Sequence, residues 1–197
     1  SESAGKGLLG HYHSEEVKKQ YEFYRQEGIT QGKKGKELEN YLITKVKPSV
    51  ESMDVPDDAY ADGAITKRTV RFIEEYSGEK PLFMAIGIKS PHLPFCAPKK
   101  YWDLYKREDI KIASFRQKAA NSPDVAYTTS GELYKYTDIP PLASFSDIQN
   151  MILPDEKAQE LIHAYYATVS YVDAQVGKLM EVLEKKGMLE NTIIVLW

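Results

Sequence analysis

A histidine flanked by prolines is the residue of this sequence best placed for chemistry. His92 lies between Pro91 and Pro94, in a loop at residues 89–95 that follows an apolar run. Proline fixes its own φ and biases the residue before it towards extended conformations, so we expect this loop to be stiff. A histidine held in this way is suited to donate to an anionic substrate or to carry a proton. The alternative is a loop histidine that bonds only to backbone.

The other histidines allow different interpretations. His11 and His13 alternate, so an extended segment would place both on one face, where they could bind a metal ion. His163 falls within a helical pattern, which favours a packed or solvent-facing helix residue. The sequence has no Gly-x-Gly-x-x-Gly, Walker loop, Gly-x-Ser-x-Gly or His-Glu-x-x-His motif, which excludes most nucleotide-binding and serine-hydrolase mechanisms.

Alternating strands and helices must position these side chains. The apolar run at residues 82–88, bounded by prolines, predicts a strand buried on both faces. Residues 192–197 form a second β-rich run after a long helical pattern at 155–186. This order is typical of an α/β protein with a parallel sheet, and it predicts that 83–88 and 193–197 pair in parallel. Ligands in such sheets bind beyond the carboxyl ends of the strands, which is where His92 lies.

Capping signals and helical spacing predict the remaining elements. Helices are expected at 14–28, 56–78 and 99–106, short strands at 41–46 and 110–113, a solvated linker at 28–40 and a long loop at 115–154. The predicted apolar face of the long helix comprises Ile162, Tyr165, Tyr166, Val169, Val172, Val176, Leu179, Met180 and Leu183. Tyr127, Tyr134 and Tyr136 in the long loop either pack on the body or bind a sugar or a partner.

Composition narrows the class of partners. Lys plus Arg is 26 and Asp plus Glu is 29, so the net charge is −3, which argues against sequence-independent nucleic-acid binding. No apolar run approaches the ~20 residues of a membrane span. The single cysteine, Cys96, excludes an internal disulfide and a cysteine-based zinc site.

Three blocks together resemble the sulfatase family, in particular its iduronate-2-sulfatase-like members. Residues 83–101 resemble the middle of such enzymes, and residues 165–177 fit the pattern Tyr-x-Ala-x-Val-x-x-x-Asp-x-x-Val-Gly. Residues 191–197 are similar to the strand that follows that helix, and residues 54–57 to the entry of the preceding helix. The resemblance covers 54–114 and 155–197, whereas 1–53 and the 115–154 insertion carry no diagnostic motif.

The resemblance implies an alkaline-phosphatase-like α/β fold, with a mostly parallel sheet and flanking helices. It implies a sulfuric ester hydrolase that uses a formylglycine nucleophile and calcium and acts on a sulfated carbohydrate or another sulfate ester. His92 matches the histidine that contacts the sulfate, and Lys89 lies one place before the position where the family often has lysine. A periplasmic, secreted or lysosomal location is typical of the family.

Motifs expected upstream and downstream of this region are not in the sequence. We therefore expect residues 1–197 to be the central part of one catalytic domain, inactive alone, with the nucleophile and the calcium ligands elsewhere. Residues 96–100 are similar to the modified Cys-x-Pro-x-Arg motif but end in Lys100, so Cys96 is not predicted to be the nucleophile. A phosphodiesterase or phosphonate hydrolase of the same superfamily, and a non-catalytic binding domain of the same fold, remain as alternatives.

Overall fold

Helices surround a small parallel sheet in the part of the chain that the structure, a computed structural model, describes, namely residues 7–126, 131–141 and 153–197. The elements are α1 (Glu15–Thr30), α2 (Gly35–Lys45), β1 (Val50–Met53), α3 (Ala61–Glu75), β2 (Phe95–Pro98), α4 (Lys99–Trp102) and α5 (Asp155–Lys185). The α/β class is therefore confirmed in its general form. None of the helices in these residues is both long and apolar enough to cross a membrane.

β1 and β2 form the sheet, with Val50 opposite Phe95 and Met53 opposite Pro98. α3 lies between them in sequence, and α5 packs against β2, α3 and α4. The core between these elements consists of Tyr12, Tyr60, Cys96, Ala97, Tyr101, Trp102, Ala164, Ala167 and Tyr171. Aromatic rings supply most of its volume, with alanines where α5 approaches closely.

The prediction that residues 83–88 and 193–197 are paired, buried strands is wrong for this structure. Neither segment forms a ladder, and Phe83 and Trp197 are 92% and 96% exposed. A strand buried on both faces needs neighbouring strands for its backbone groups and a layer on each face. The described residues supply no strand beside either segment, and the parallel pairing joins β1 to β2 instead.

Residues 28–46 form a helical hairpin rather than a linker and a strand. α1 continues to Thr30 and α2 follows from Gly35. Gly28 was expected to end α1, but a Cβ there would lie 2.5 Å from Leu38 Cδ1. The glycine therefore permits the close contact between the two helices.

The other predicted helices are confirmed, with shifted ends. Ser14 caps α1, because its Oγ accepts a hydrogen bond from the Val17 amide at 3.4 Å. A short 3-10 helix at Asp57–Ala59 precedes α3, which therefore starts later than expected. α4 ends at Trp102, four residues before the predicted end at Lys106.

The long helix α5 buries a different face from the predicted one. Tyr165, Tyr166 and Val169, expected to be buried, are each more than 40% exposed. The buried positions are Leu161, His163, Ala164, Ala167, Thr168, Tyr171, Gln175 and Val182. Several of these are polar and are buried because they form hydrogen bonds, which hydropathy alone does not show.

The region 110–154 contains no strand in its described residues. Ile110 is buried, but residues 110–113 pair with no strand, so the strand predicted there is wrong. Hydrogen bonds from the Ser49 amide and hydroxyl to Asp138 fix the loop beside β1, and Tyr136 is buried there. Tyr136 therefore packs on the body, whereas Tyr127 lies outside the described residues.

Candidate functional site

His92 lies in the loop between α3 and β2. The prediction that this loop follows the carboxyl end of a strand is wrong, because residues 83–88 form no strand and His92 precedes β2. The backbone makes a turn there, with the His92 amide donating to the Lys89 carbonyl at 3.1 Å. The imidazole Nδ1 lies 2.7 Å from the Leu93 carbonyl, which can only accept, so Nδ1 carries a proton. Nε2 lies 3.4 Å from Glu132 Oε1 in the long loop. Nε2 is therefore the ring nitrogen that a ligand could reach, in place of Glu132.

Lys89 starts the same loop, and a buried carboxylate holds its backbone. Asp62 Oδ1 accepts from the Lys89 amide and Oδ2 from the Ser90 amide, each at 2.9 Å. Within the described residues the Lys89 ammonium forms no ion pair with a carboxylate. Its charge is therefore available to a ligand.

Lys89 and His92 line one small cavity of about 60 Å³. His11, from the 3-10 helix at Gly7–His11, and Asp62 are also in its wall. The structure thus brings together the two predicted site residues and adds His11, which no spacing in the sequence connects to them. The cavity has space for one small group rather than for a whole sugar ring.

The electrostatics of the cavity favour an anion. Burial, followed by repulsion from Lys89 and Lys47, holds the pKa of His11 below its usual value. Burial also lowers the pKa of Lys47; attraction to Glu132 opposes this shift, and repulsion by Lys135 and Lys89 adds to it. The carboxylate of Asp62 is in the wall, but backbone amides occupy both of its oxygens. Lys89 and Lys47 attract small anions to the cavity, and the Glu132 carboxylate near His92 Nε2 opposes this attraction.

The structure does not bring His11 and His13 together as metal ligands. His13 Nε2 lies 2.9 Å from the Ala59 carbonyl, and its ring packs edge-on against Tyr60. His163 is buried, with Nε2 2.9 Å from the Trp102 carbonyl. Among the described residues, no three His, Cys, Asp or Glu side chains are placed to hold a metal ion. Those residues therefore do not form the calcium site that the resemblance implies.

Cys96 is a core residue of β2. Its side chain is buried, and burial raises the pKa of the thiol well above its usual value. Because the thiolate is the reactive form, this environment makes Cys96 unreactive. The geometry agrees with the expectation that Cys96 is not the nucleophile.

A second charged cluster, not predicted as a unit, lies on the other side of the N-terminus of α3. Asp57 accepts hydrogen bonds from Tyr101 Oη at 2.8 Å and Gln175 Nε2 at 3.2 Å. It also forms ion pairs with Lys100, at 2.6 Å, and with Lys178. These partners come from α4 and α5, so the cluster fixes both helices to the start of α3.

A larger cavity, of about 780 Å³, opens beside this cluster and not beside His92. Both signs of charge line it, including Lys67, Arg68, Asp58 and Glu181. The Lys67–Asp58 pair, at 2.5 Å, neutralises part of that lining. The cavity therefore has no single charge preference.

Comparisons with known proteins agree with the sequence blocks. A model of the Sulfatase family matches residues 2–197. Iduronate 2-sulfatase of Mus musculus is 29% identical over 174 residues, which cover 88% of this chain and 30% of that protein. Iduronate 2-sulfatase of Homo sapiens is 30% identical over 146 residues, 74% of this chain and 26% of that protein. A sulfatase of Formosa agariphila is 32% identical over 128 residues, 64% of this chain and 23% of that protein.

The chain spans less than a third of the length of these relatives. The family match nevertheless extends over almost every residue of the chain, including the loop with Lys89 and His92. This chain belongs to the sulfatase family.

Proposed function

We propose that the whole protein to which this chain belongs hydrolyses sulfate esters and that Lys89 and His92 contact the sulfate group. The observation that carries the proposal is the small cavity that these two residues line, with cations around it. Family membership supports the reaction class. In this proposal residues 1–197 are the central part of one alkaline-phosphatase-like catalytic domain.

The two side chains have separate roles in the proposed reaction. The Lys89 ammonium, which has no carboxylate partner in the described residues, balances the charge of the sulfate. His92 is held through Nδ1, so that Nε2 points away from the backbone and, when the ring carries a second proton, can donate to a sulfate oxygen or to the bridging oxygen. Negative charge develops on the bridging oxygen as the ester bond breaks, and a fixed donor stabilises it there.

The nucleophile and the metal of the family would come from other parts of the whole protein. Cys96 is buried, and the described residues have no cluster that could hold calcium. The chain's own contribution is to bind and orient the anionic group of the substrate.

A sulfated saccharide is the substrate class that we propose. Two of the relatives are named as sulfatases of iduronate, a sugar acid. The small volume of the cavity fits this class, because only the sulfate group would enter it while the sugar stays outside.

The test is His92→Ala in the whole protein, assayed with 4-nitrophenyl sulfate. Loss of one positioned donor typically lowers the rate by about 10²–10³-fold. The melting temperature should stay close to that of the wild type, because His92 is an exposed loop residue. Lys111→Ala, an exposed residue outside the cavity wall, is the matched control and should keep full activity.

Full kcat in His92→Ala would show that His92 has only a structural role in the loop. Bis(4-nitrophenyl) phosphate is assayed in parallel. Turnover of this diester without turnover of the sulfate would indicate a phosphodiesterase of the same superfamily. Binding of a sulfated sugar without turnover of either ester would indicate a non-catalytic domain.

A further inference from the structure

Asp62 is a buried carboxylate whose bonding is unusual for its position. It lies in the first turn of α3, where an acidic side chain commonly faces solvent or caps its own helix. Here only 4% of the residue is exposed, and both oxygens accept amides from another segment, those of Lys89 and Ser90. A buried carboxylate is destabilising unless it is hydrogen-bonded, so these two bonds keep the charge in place.

The start of the helix that carries Asp62 is held by hydrogen bonds to Tyr171 of α5. Tyr171 of α5 donates its hydroxyl proton to the Asp57 carbonyl at 2.9 Å. The Tyr171 hydroxyl oxygen also accepts a hydrogen bond from the Gly63 amide at 2.6 Å. The first turn of α3 therefore has little freedom to move relative to α5, and Asp62 is a rigid point of attachment.

The loop with His92 is attached at two ends, and Asp62 forms the first attachment. At the far end, the Phe95 amide donates to the Ser49 carbonyl at 2.8 Å, and β2 then pairs with β1. At the near end, the two bonds to Asp62 fix the residues directly before Pro91 and His92. Without Asp62, the start of the loop loses both of these bonds.

We propose that Asp62 is a positioning residue for the anion-binding loop, acting through Lys89 and His92 rather than on the substrate. The inference rests on the proposed function, because it assigns Asp62 to the same site. It goes beyond that proposal by placing the control of loop geometry in a side chain of α3.

The test uses Asp62→Ala and Asp62→Asn in the whole protein, with Asp58→Asn as the matched control. Asp58 lies in the same segment but is paired with Lys67 outside the small cavity. We expect kcat/KM on 4-nitrophenyl sulfate to fall by about 10–100-fold in Asp62→Ala, as for other residues that orient a functional side chain. Asp62→Asn should lose less, because its amide oxygen still accepts one of the two bonds. Asp58→Asn should keep the wild-type value.

A double-mutant cycle separates positioning from general damage to the fold. If Asp62 acts through Lys89 and His92, adding Asp62→Ala to a variant that already carries Lys89→Ala and His92→Ala lowers kcat/KM by less than about 2-fold, because both positioned groups are absent. If the reductions in kcat/KM caused by the separate substitutions multiply in full, the proposal is overturned. Unchanged activity of Asp62→Ala in the wild-type background would overturn it as well.

Hydrogen exchange gives a readout that needs no activity and no folded alanine variant. In Asp62→Asn, peptides covering residues 84–95 should exchange faster than in Asp58→Asn, while peptides of α5 exchange at the same rate. Equal exchange of the loop in the two variants would contradict the proposal. If His92→Ala keeps full activity while the loop exchanges faster in Asp62→Asn, the proposed function fails and the loop attachment stands.

Discussion

At the scale of single residues, Asp57 shows how burial and hydrogen bonding compete. Burial raises the pKa of this carboxyl, but hydrogen bonds from Lys100, Lys178, Gln175 and Tyr101 outweigh burial and hold the pKa well below its usual range. The ionised form therefore dominates in the folded protein at any pH above the acidic range. Asp57 joins α3, α4 and α5 as a charged group.

This balance predicts an acid-sensitive contribution to stability. Because the pKa of Asp57 is lower in the folded than in the unfolded state, its contribution is complete above pH about 4 and is lost as pH falls further. Asp57→Asn should lower the free energy of unfolding at pH 7 by about 1–3 kcal/mol. Lys100 and Lys178 are partly exposed and can rehydrate, which keeps the loss at that level.

Denaturant unfolding at two pH values measures this effect. Between pH 7 and pH 3 the difference between wild type and Asp57→Asn should narrow by roughly 1 kcal/mol, because the unfolded carboxyl binds a proton near pH 4. The exposed Asp173 of α5, changed to Asn, serves as the control. A difference that is the same at both pH values would contradict this account of Asp57.

At the scale of elements, the contact of α3 with α5 depends on a glycine. A Cβ at Gly63 would lie 2.0 Å from the Asp57 carbonyl oxygen and 2.7 Å from Tyr171 Oη. Both neighbours are fixed by hydrogen bonds, so neither can move aside easily. Close approach at this point is what brings Asp62 to the loop with His92.

Two glycine-to-alanine substitutions in helices should therefore have opposite effects on the stability of the protein. Gly63→Ala should destabilise the protein by about 1–3 kcal/mol through overpacking, although alanine is the better helix former. Gly177→Ala in α5 has open space around the new Cβ and should stabilise by about 0.5–1 kcal/mol. The melting temperatures of the two variants test this expectation. A higher melting temperature for Gly63→Ala than for the wild type would contradict the packing argument.

The sequence predicted those elements whose signals are local. Ser14 marks the start of α1, and the acidic first turn and apolar repeats mark α5. α2 and β1 were missed because they are short and their packing decides their conformation. The prolines around His92 predicted a loop there, although the run at 82–88 that was expected to position it forms no strand. His11 and Asp62 reach the same small cavity through contacts between distant segments, which spacing does not show.

At the scale of the whole molecule, two apolar segments remain uncovered. Residues 82–85 touch α3 along a shallow groove, but Phe83 is almost fully exposed, and so are Ile193 and Leu196. Apolar surface of this extent on a monomer is typical of a contact surface. The chain spans less than a third of the length of its iduronate 2-sulfatase relatives.

The 197-residue chain on its own is therefore expected to self-associate and to bind a hydrophobic dye. Phe83→Lys together with Ile194→Lys should reduce both effects, because each places a charge in an uncovered segment. Val125→Lys changes an exposed apolar residue elsewhere and is the control. Sedimentation and dye fluorescence give the measurement, and a monomeric wild-type chain without dye binding would contradict the expectation.

The burial of Cys96 gives the protein an internal reporter of its own opening. It is the only cysteine in the sequence, and it lies in β2 next to the loop with His92. A thiol reagent in solution can reach it only when the strand separates from α5 or from β1. The rate of labelling thus measures how often β2 separates from its neighbours beside the cavity that Lys89 and His92 line, without a substrate.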